Sequence, residues 1–354
     1  MLLLGIESSC DETGAAVVEV GRFVRSNVIA SQHEVHAEFG GVVPELASRA
    51  HAERILPMVR SALAGASVSL GQIDAVAVGH RPGLIGSLLV GVAAAKALAW
   101  SLDRPLVGVD HVHAHLWAGF LRTHGSAPCD ENPRSVFPAL GLVVSGGHTS
   151  LYHCESPVDV MRLGGTIDDA MGEAFDKAAV ILGLPYPGGP NLDQLAQHPD
   201  ADDRAVEFPV SRLGPESLDF SFSGLKTSML YAVRGKPLPG GAFERDHSWL
   251  SPASRADYAA SFQRAAVKAA MVKLERASER AEYRSILAGG GVTANSRLRR
   301  ELSEFAAKRG LRLRLPALDF CVDNAAMIAG LGHELLIAGR TSGLDLQAAP
   351  TTAL

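Results

Sequence analysis

Apolar and polar positions alternate along the chain in blocks that predict strands followed by helices. Segment 2–20 has two apolar runs around a polar turn, which indicates a β-hairpin with an acidic, hydroxyl-rich tip. The same pattern returns at 139–152. Helical periodicity follows each hairpin, with short apolar strands between the helices. The pattern predicts an α/β protein with a duplicated architecture. The predicted helices span 44–63, 84–102, 110–121, 168–182 and 254–280, and the intervening strands span 74–78 and 285–288.

Composition describes an ordinary globular protein. The chain has 354 residues, of which 47% are hydrophobic and 20% charged. Its four cysteines have no paired spacing, no basic leader precedes the first strand, and no apolar run is predicted to span a membrane. A cytoplasmic location is therefore expected. The net charge of −5 means that a nucleic-acid partner would need a local basic surface or a helper protein.

A pair of histidines is the strongest chemical signal. Asp110 follows an apolar strand and is suited to cap a helix, which places His111 and His115 one turn apart on the same face. Two imidazoles aimed at one point can bind zinc or iron. Two alternatives stay open: exposed or capping histidines, and a strand that aligns both with His113.

Glycine-rich turns supply candidate anion sites. The turn at 145–148 offers successive backbone N–H groups, although such a turn often only reverses the chain. The segment 288–295 follows a strand and is predicted to open a helix at Thr293, presenting the Asn295 amide. The turn at 187–190 permits another close backbone approach, or is simply rigid.

Two acidic patterns each allow a ligand-binding and a purely structural interpretation. Asp169, Glu173 and Asp176 are predicted to share one helix face, where they bind a ligand or form a solvated face with a Glu173–Lys177 pair. Asp323 precedes an apolar helix, where it is either a ligand or an N-cap.

Together these motifs resemble the TsaD family of tRNA threonylcarbamoyladenosine transferases, formerly described as O-sialoglycoprotein endopeptidases. The resemblance runs from Leu4 to about Leu331 and is carried by many motifs in the same order. The motifs are 5–14, 40–49, 82–91, the His111/His115 pair, 142–149, 168–177, 184–190, 219–227, 288–295 and Asp323-Asn324.

The resemblance implies a two-lobed actin-like, Hsp70-like and sugar-kinase-like ATPase fold, built from duplicated ribonuclease H-like lobes with ligand and metal in the cleft. One lobe comprises 1–134 plus about 323–345, and the other comprises 135–322. Residues 346–354 are expected to form a flexible tail.

The resemblance also implies the site residues. His111, His115 and Asp323 are expected to bind one iron or zinc ion. Asp11 and Glu12, at the acidic hairpin tip, are expected to be catalytic residues. The expected nucleotide and substrate contacts are Val143, Val144, Ser145, Gly146, Gly147, Asp176, Gly189, Asp193 and Asn295.

By this resemblance, the reaction moves a threonylcarbamoyl group from threonylcarbamoyl-AMP to the exocyclic amine of the adenosine 3′ of the anticodon, in tRNAs reading codons that begin with A. A TsaB-like paralogue and a TsaE-like ATPase are the implied partners. A basic run is the best candidate for tRNA contact, with a solvated helix face as its alternative. Its members are Arg297, Arg299, Arg300, Lys308, Arg309, Arg312 and Arg314.

The sequence departs from the family pattern at two places, and two other functions are considered for it. His80-Arg81 replaces a small residue and glycine, and His113 replaces a glutamate between the metal histidines. A metalloendopeptidase would need glutamate directly after the first histidine, where this chain has Val112. An O-carbamoyltransferase of the same fold would carry extra domains, which this sequence lacks.

Overall fold

The computed structural model describes residues 1–37, 39, 41–123, 132–211 and 213–352. The polar stretch 123–134, whose composition favours a linker, lies mostly outside the described residues, as does Cys129. The chain divides into two compact units. The first consists of Met1–Phe137, Glu155–Val160 and Arg314–Leu354, and the second of Pro138–Cys154 and Met161–Leu313.

Strands and helices alternate in the predicted order. The strands are β1 (Leu2–Glu7), β2 (Glu12–Glu19), β3 (Phe23–Ser31), β4 (Ala75–Arg81), β5 (Leu106–Asp110), β6 (Arg122–Thr123), β7 (Ala139–Val144), β8 (Thr149–Cys154), β9 (Val160–Gly165), β10 (Ser285–Gly289) and β11 (Arg312–Arg314). The helices are α1 (His33–Ala37), α2 (Pro44–Gly65), α3 (Ile85–Leu102), α4 (His111–Trp117), α5 (Met171–Ile181), α6 (Gly188–Ala196), α7 (Ser223–Arg234), α8 (Pro252–Ser278), α9 (Ser296–Arg309) and α10 (Ala325–Ile337).

Each unit contains one mixed sheet with the same strand pattern. The first sheet has the order β5-β4-β1-β2-β3-β6, and the second has the order β11-β10-β7-β8-β9. The hairpins β1–β2 and β7–β8 are antiparallel, whereas β4 and β10 run parallel to the first strand of their hairpin. The predicted α/β class and its duplicated hairpins are therefore confirmed.

The first unit packs helices on both faces of its sheet. Leu4 and Ile6 of β1 lie in a buried cluster with residues of α2 and α3, as the period of two along a strand requires. Gly5 faces the other way, and a Cβ there would overlap the carbonyl oxygen of Ala325. This close approach fixes the start of α10 and therefore the position of Asp323.

The second unit is organised around helices α5 and α8. The rings of Phe175 and Phe262 meet edge to face, with centroids 5.7 Å apart. The start of α5 is anchored to β8, because the backbone N–H of Met171 donates to Thr149 Oγ1 over 2.8 Å. Helix α5 begins at Met171 rather than near residue 168, and α9 begins at Ser296 rather than Thr293.

Two features differ from the sequence expectations. Helix α3 has the length and apolarity of a membrane span, with a mean hydropathy of 1.7, although Leu88, Val92 and Ala95 pack into the core of the first unit. The predicted flexible tail is partly packed. Leu346 contacts the core cluster, and Ala349 N donates to the His80 carbonyl over 2.9 Å.

Candidate metal and nucleotide sites

Helix α4 presents two histidines on one face. The carboxylate of Asp110 accepts hydrogen bonds from the backbone N–H groups of Val112 and His113, at 3.0 and 3.2 Å, and so caps the helix. The rings of His111 and His115 lie edge to face with centroids 4.8 Å apart. The predicted helix is confirmed, and the strand alternative is wrong.

Asp323 joins the two histidines from the segment before α10. Its Oδ1 lies 3.5 Å from His111 Nε2 and 3.1 Å from His115 Nε2. The N-cap of α10 is Asn324, whose side chain accepts from Met327 N. The alternative in which Asp323 caps the helix is therefore wrong, which leaves its carboxylate available as a ligand.

This donor set fits a borderline transition metal. His115 is fully buried, and its approach to Asp323 lacks hydrogen-bond geometry, so neither ring nitrogen has a hydrogen-bond partner among the described residues. Leaving a buried polar atom unsatisfied is costly, and a metal bond removes that cost. The ligand atoms of the three residues lie within 4.8 Å of one another. Two imidazoles and one carboxylate leave coordination positions open, as catalytic sites require.

The electrostatics also favour a cation between these side chains. Burial by itself would raise the pKa of Asp323, but His111 and His115 hold that pKa well below its usual range. Burial by itself would lower the pKa of His111, but Glu7 and Asp323 hold it well above normal. A metal cation would take the place of the proton that these carboxylates favour on His111.

Glu7 is a site residue that the sequence analysis missed. Its buried carboxylate accepts from Ser9 N at 2.6 Å through Oε1, and its Oε2 lies 2.9 Å from His111 Nδ1. Donation from Nδ1–H to Glu7 leaves Nε2 directed at Asp323, which is the usual arrangement around a metal-binding histidine. A carboxylate directly after the apolar residues of β1 was the available signal.

The acidic hairpin tip is accompanied by a histidine. His33 Nε2 lies 3.4 Å from Glu12 Oε1 and 3.9 Å from Asp11 Oδ2. Burial raises the pKa of Glu12 to about 8, against the opposing hydrogen bond from His33. Burial also raises the pKa of the Cys10 thiol, which favours the neutral thiol over the thiolate. His33 is not among the site residues that the sequence predicts.

The second unit holds the predicted glycine turn at the end of β7. Val143 and Val144 are buried in the strand, whereas Gly146 and Gly147 are exposed. Ser145 closes the turn, because its backbone N–H donates to the His148 carbonyl and its Oγ accepts from His148 N. The turn therefore leaves the backbone of two successive glycines exposed, as the predicted anion site requires.

The start of α5 lies directly against this turn. Its Gly172 N donates to the Ser145 carbonyl over 3.1 Å. A Cβ at residue 172 would lie 2.6 Å from that oxygen and 2.9 Å from Gly146 Cα. Only glycine allows this approach, so residue 172 is part of what shapes the turn.

Asp176 and Gly189 form one contact of the second unit. Asp176 Oδ1 accepts from Gly189 N over 3.0 Å. A Cβ at Gly188 would lie 2.7 Å from Asp176 Cα, so glycine is required for this approach. Asp169 lies before α5, and Lys177 Nζ contacts both Asp169 and Glu173, at 3.0 and 2.6 Å. The predicted three-residue acidic face is therefore wrong, and the alternative Glu173–Lys177 pair is confirmed. Asp176 instead contacts the glycine turn at 187–190.

Asn295 lies at the start of α9, where Asp193 contacts the next residue, Ser296. Asn295 Oδ1 accepts from Leu298 N, so the amide nitrogen remains as a donor. Asp193 accepts from Ser296 N and Ser296 Oγ and also from Gln263 Nε2. The Asp193 carboxylate is thus engaged in holding the segment that carries Asn295.

The predicted basic run is paired with carboxylates in part, at Arg297, Arg300 and Arg309. Arg297 contacts Asp203 and Glu301, at 2.6 and 2.8 Å. Arg309 lies 3.2 Å from Glu279. Arg314 belongs to the first unit, unlike the rest of the run. The solvated-face alternative fits the α9 residues better than a continuous stripe does.

The strand pattern and the two sites define a member of the actin-like ATPase fold class, and solved structures support this. HypF from T. kodakarensis superposes with a TM-score of 0.58 at 17% identity, covering 96% of this chain and 48% of that one. The activator of 2-hydroxyisocaproyl-CoA dehydratase from Clostridium difficile, with bound ADPNP, superposes with a TM-score of 0.52 at 12% identity. This match covers 96% of this chain and 97% of the activator. At these identities, the similarity shows the fold alone.

Sequence comparison identifies the family within that class. The model of TsaD, tRNA N6-adenosine threonylcarbamoyltransferase, matches residues 23–330. A relative of that name from Symbiobacterium thermophilum is 49% identical, covering 100% of this chain and 97% of its own. Another relative of that name, from Moorella thermoacetica, is 47% identical over 99% of this chain and 97% of its own length. The chain belongs to the TsaD family, and the peptidase and O-carbamoyltransferase alternatives are not favoured.

Proposed function

We propose that this enzyme transfers a threonylcarbamoyl group from threonylcarbamoyl-AMP to the exocyclic amine of the adenosine 3′ of the anticodon, in tRNAs reading codons that begin with A. Family membership supports the reaction, since the matched relatives are named for it. The observation that carries the proposal is the cluster of His111, His115 and Asp323. Such an open ligand set suits group transfer better than structural metal binding.

The proposed cofactor is one iron or zinc ion held by these three residues. When bound, it would supply a Lewis acid for the phosphate or carbonyl oxygen of the donor. Glu7 would orient His111 toward it, because its carboxylate lies 2.9 Å from His111 Nδ1.

The second unit would bind the AMP part of the donor. The exposed backbone at 145–147 offers N–H donors to the phosphate or to the oxyanion that develops during attack. Asp176, Gly189 and Asn295 would contact the nucleoside, and Asp193 would hold the Asn295 segment in place.

The chemistry is a displacement at the donor carbonyl. The adenosine nitrogen forms a bond to the carbonyl carbon, the bond from that carbon to the phosphate oxygen breaks, and AMP leaves. The attacking amine must also lose a proton. Glu12, whose pKa burial raises to about 8, is suited to accept it, and Asp11 lies beside it at the hairpin tip.

The proposed partners are tRNA, a TsaB-like paralogue and a TsaE-like ATPase. Because most arginines of α9 are paired with carboxylates, tRNA binding would need basic surface from another protein.

Ile85, Leu89 and Trp100 are exposed apolar residues of α3, which supports a protein partner on the first unit. A cytoplasmic location fits the free cysteines Cys10 and Cys154.

Reconstitution with the helper proteins tests the proposal. The measurement is mass spectrometry of threonylcarbamoyladenosine in tRNA nucleosides after incubation with threonine, bicarbonate, ATP and the enzyme that forms the donor. The wild-type chain and the His113→Ala variant should form the product, whereas His115→Ala should not. Full product formation by metal-free His115→Ala would contradict the proposal.

A further inference from the structure

The turn between β1 and β2 is held by donors to three successive backbone carbonyls. Two of the donors are backbone N–H groups, and the third is a buried side chain on α2. This side chain belongs to His51, which is fully buried. The hydrogen bonds are Leu84 N to Ser9 O at 2.8 Å, Gln32 N to Asp11 O at 3.0 Å, and His51 Nε2 to Cys10 O at 3.0 Å.

The surroundings of His51 select one neutral tautomer. Nε2 must carry the proton, because a lone pair facing the Cys10 carbonyl at 3.0 Å would be repulsive. Nδ1 then accepts from Thr13 Oγ1 at 2.8 Å. Burial lowers the pKa of His51, which keeps the ring uncharged. Gln32 Nε2 lies 3.4 Å from His51 Nε2 but also donates to the Ala47 carbonyl.

We infer that His51 is a positioning residue: through its hydrogen bond to the Cys10 carbonyl it sets the place of the next two residues, Asp11 and Glu12. The inference rests on the proposed role of these two carboxylates in transfer. The carbonyls on either side of Cys10 O have backbone donors that a side-chain substitution leaves intact. Of the three donors to these carbonyls, His51 is therefore the one that a side-chain substitution can remove.

The expected consequence is kinetic. Without the His51 donor, the Cys10 carbonyl would lose its partner in the protein and would turn toward water, because an unsatisfied buried oxygen is unfavourable. Asp11 and Glu12 would move with it. A displacement of about 1 Å at reacting groups can lower a rate about 100-fold.

Three variants separate positioning from packing. His51→Leu removes both hydrogen bonds but fills the space, and His51→Gln retains an amide N–H near the position of Nε2. Ile55→Ala, one turn along the same buried face of α2, weakens helix packing without contacting the tip. Each variant would be assayed with its helper proteins for kcat and KM toward the donor, for metal content, and for thermal unfolding.

The inference predicts that His51→Leu lowers kcat about 10- to 100-fold with little change in KM or metal content. His51→Gln should recover kcat to within about threefold of wild type, and Ile55→Ala should keep it, even at a lower melting temperature. A His51→Leu enzyme with wild-type kcat would overturn the inference. So would an equal loss in Ile55→Ala, or no recovery in folded His51→Gln.

A separate experiment tests the proposed role of Asp11 and Glu12, on which the inference about His51 rests. Asp11→Asn and Glu12→Gln leave His51 in place. Full activity in both would contradict the proposed role of the tip and remove the basis of the inference. Inactive Asp11→Asn and Glu12→Gln together with an active His51→Leu would contradict the inference alone.

Discussion

Glu7 Oε2 lies 2.9 Å from Nδ1 of His111, although the two residues are 104 positions apart in the sequence. The other oxygen of this carboxylate accepts from Ser9 N, inside the turn that carries Asp11 and Glu12. A single buried side chain therefore connects the orientation of His111, a proposed metal ligand, with the backbone of the acidic tip. Glu7 thereby links the proposed metal site to the hairpin within the first unit.

The three-residue cluster predicts which substitutions remove the metal. His111→Ala, His115→Ala and Asp323→Ala should each lose the bound ion, because two remaining ligands hold a divalent metal poorly. Elemental analysis of freshly purified protein is the measurement. His113→Ala is the matched control on the same helix and should keep its metal. Full occupancy in His115→Ala would rule out the assignment.

Glu7 should control metal affinity without being a ligand. In Glu7→Gln, one carboxylate oxygen becomes an amide nitrogen that cannot accept from Ser9 or His111. We expect an affinity loss of about 10- to 100-fold, measured by competition with a chelator. Glu19→Gln on the same sheet, where the carboxylate contacts Arg25, is the control and should bind normally. Equal affinities in the two variants would contradict the role of Glu7.

Nucleotide affinity should depend on Asp176 and Asn295. Asp176→Ala and Asn295→Ala should each weaken AMP binding about tenfold, because each removes a polar contact or the local structure that forms it. Isothermal titration calorimetry gives the affinity, and metal content should not change. Glu173→Ala is a control from the same helix, since its carboxylate contacts Lys177. Unchanged binding in both test variants would mean that the contacts are wrongly assigned.

Gly172→Ala should disturb the glycine turn specifically. The new Cβ would lie 2.6 Å from the Ser145 carbonyl oxygen, so the turn or the start of α5 must shift. Weaker AMP binding with normal metal content is expected. Gly224→Ala is the control, because a Cβ there meets no atom within 4 Å. Normal AMP affinity in Gly172→Ala would show that the turn does not bind the nucleotide.

His51 should make stability depend on pH in the mildly acidic range. Its folded-state pKa is lowered by burial, so the unfolded chain binds a proton more readily. The free energy of unfolding should therefore be highest above the unfolded pKa of about 6.5 and decrease as the pH falls below it. His51→Gln should have a shallower decrease, by up to about 1.4 kcal/mol per pH unit. Urea unfolding between pH 5 and 8 measures both slopes, and identical slopes would contradict a neutral buried His51.

Local patterns were enough to predict the elements that carry the site. The residues of α4 and the cap by Asp110 follow from short-range spacing, which depends only on the geometry of one helix. The predicted start of α9 at Thr293 was wrong, because the 3-10 turn Gly291–Ala294 separates β10 from the helix and Asn295 is its N-cap. For the basic run, the alternative of a solvated helix face gains support from Asp203 and Glu279, which lie far from their arginine partners in the sequence.

The sequence by itself determined the α/β alternation, the two hairpins and the shared face of His111 and His115, because periodicity within an element needs no distant partner. By resemblance it also supplied Asp323. Only the tertiary structure decided that Asn324, not Asp323, caps α10, and that Glu7 orients His111. The hydrogen bond from His51 to the Cys10 carbonyl was also decided by the tertiary structure. Such contacts depend on how sheet and helices pack, and no local pattern encodes them.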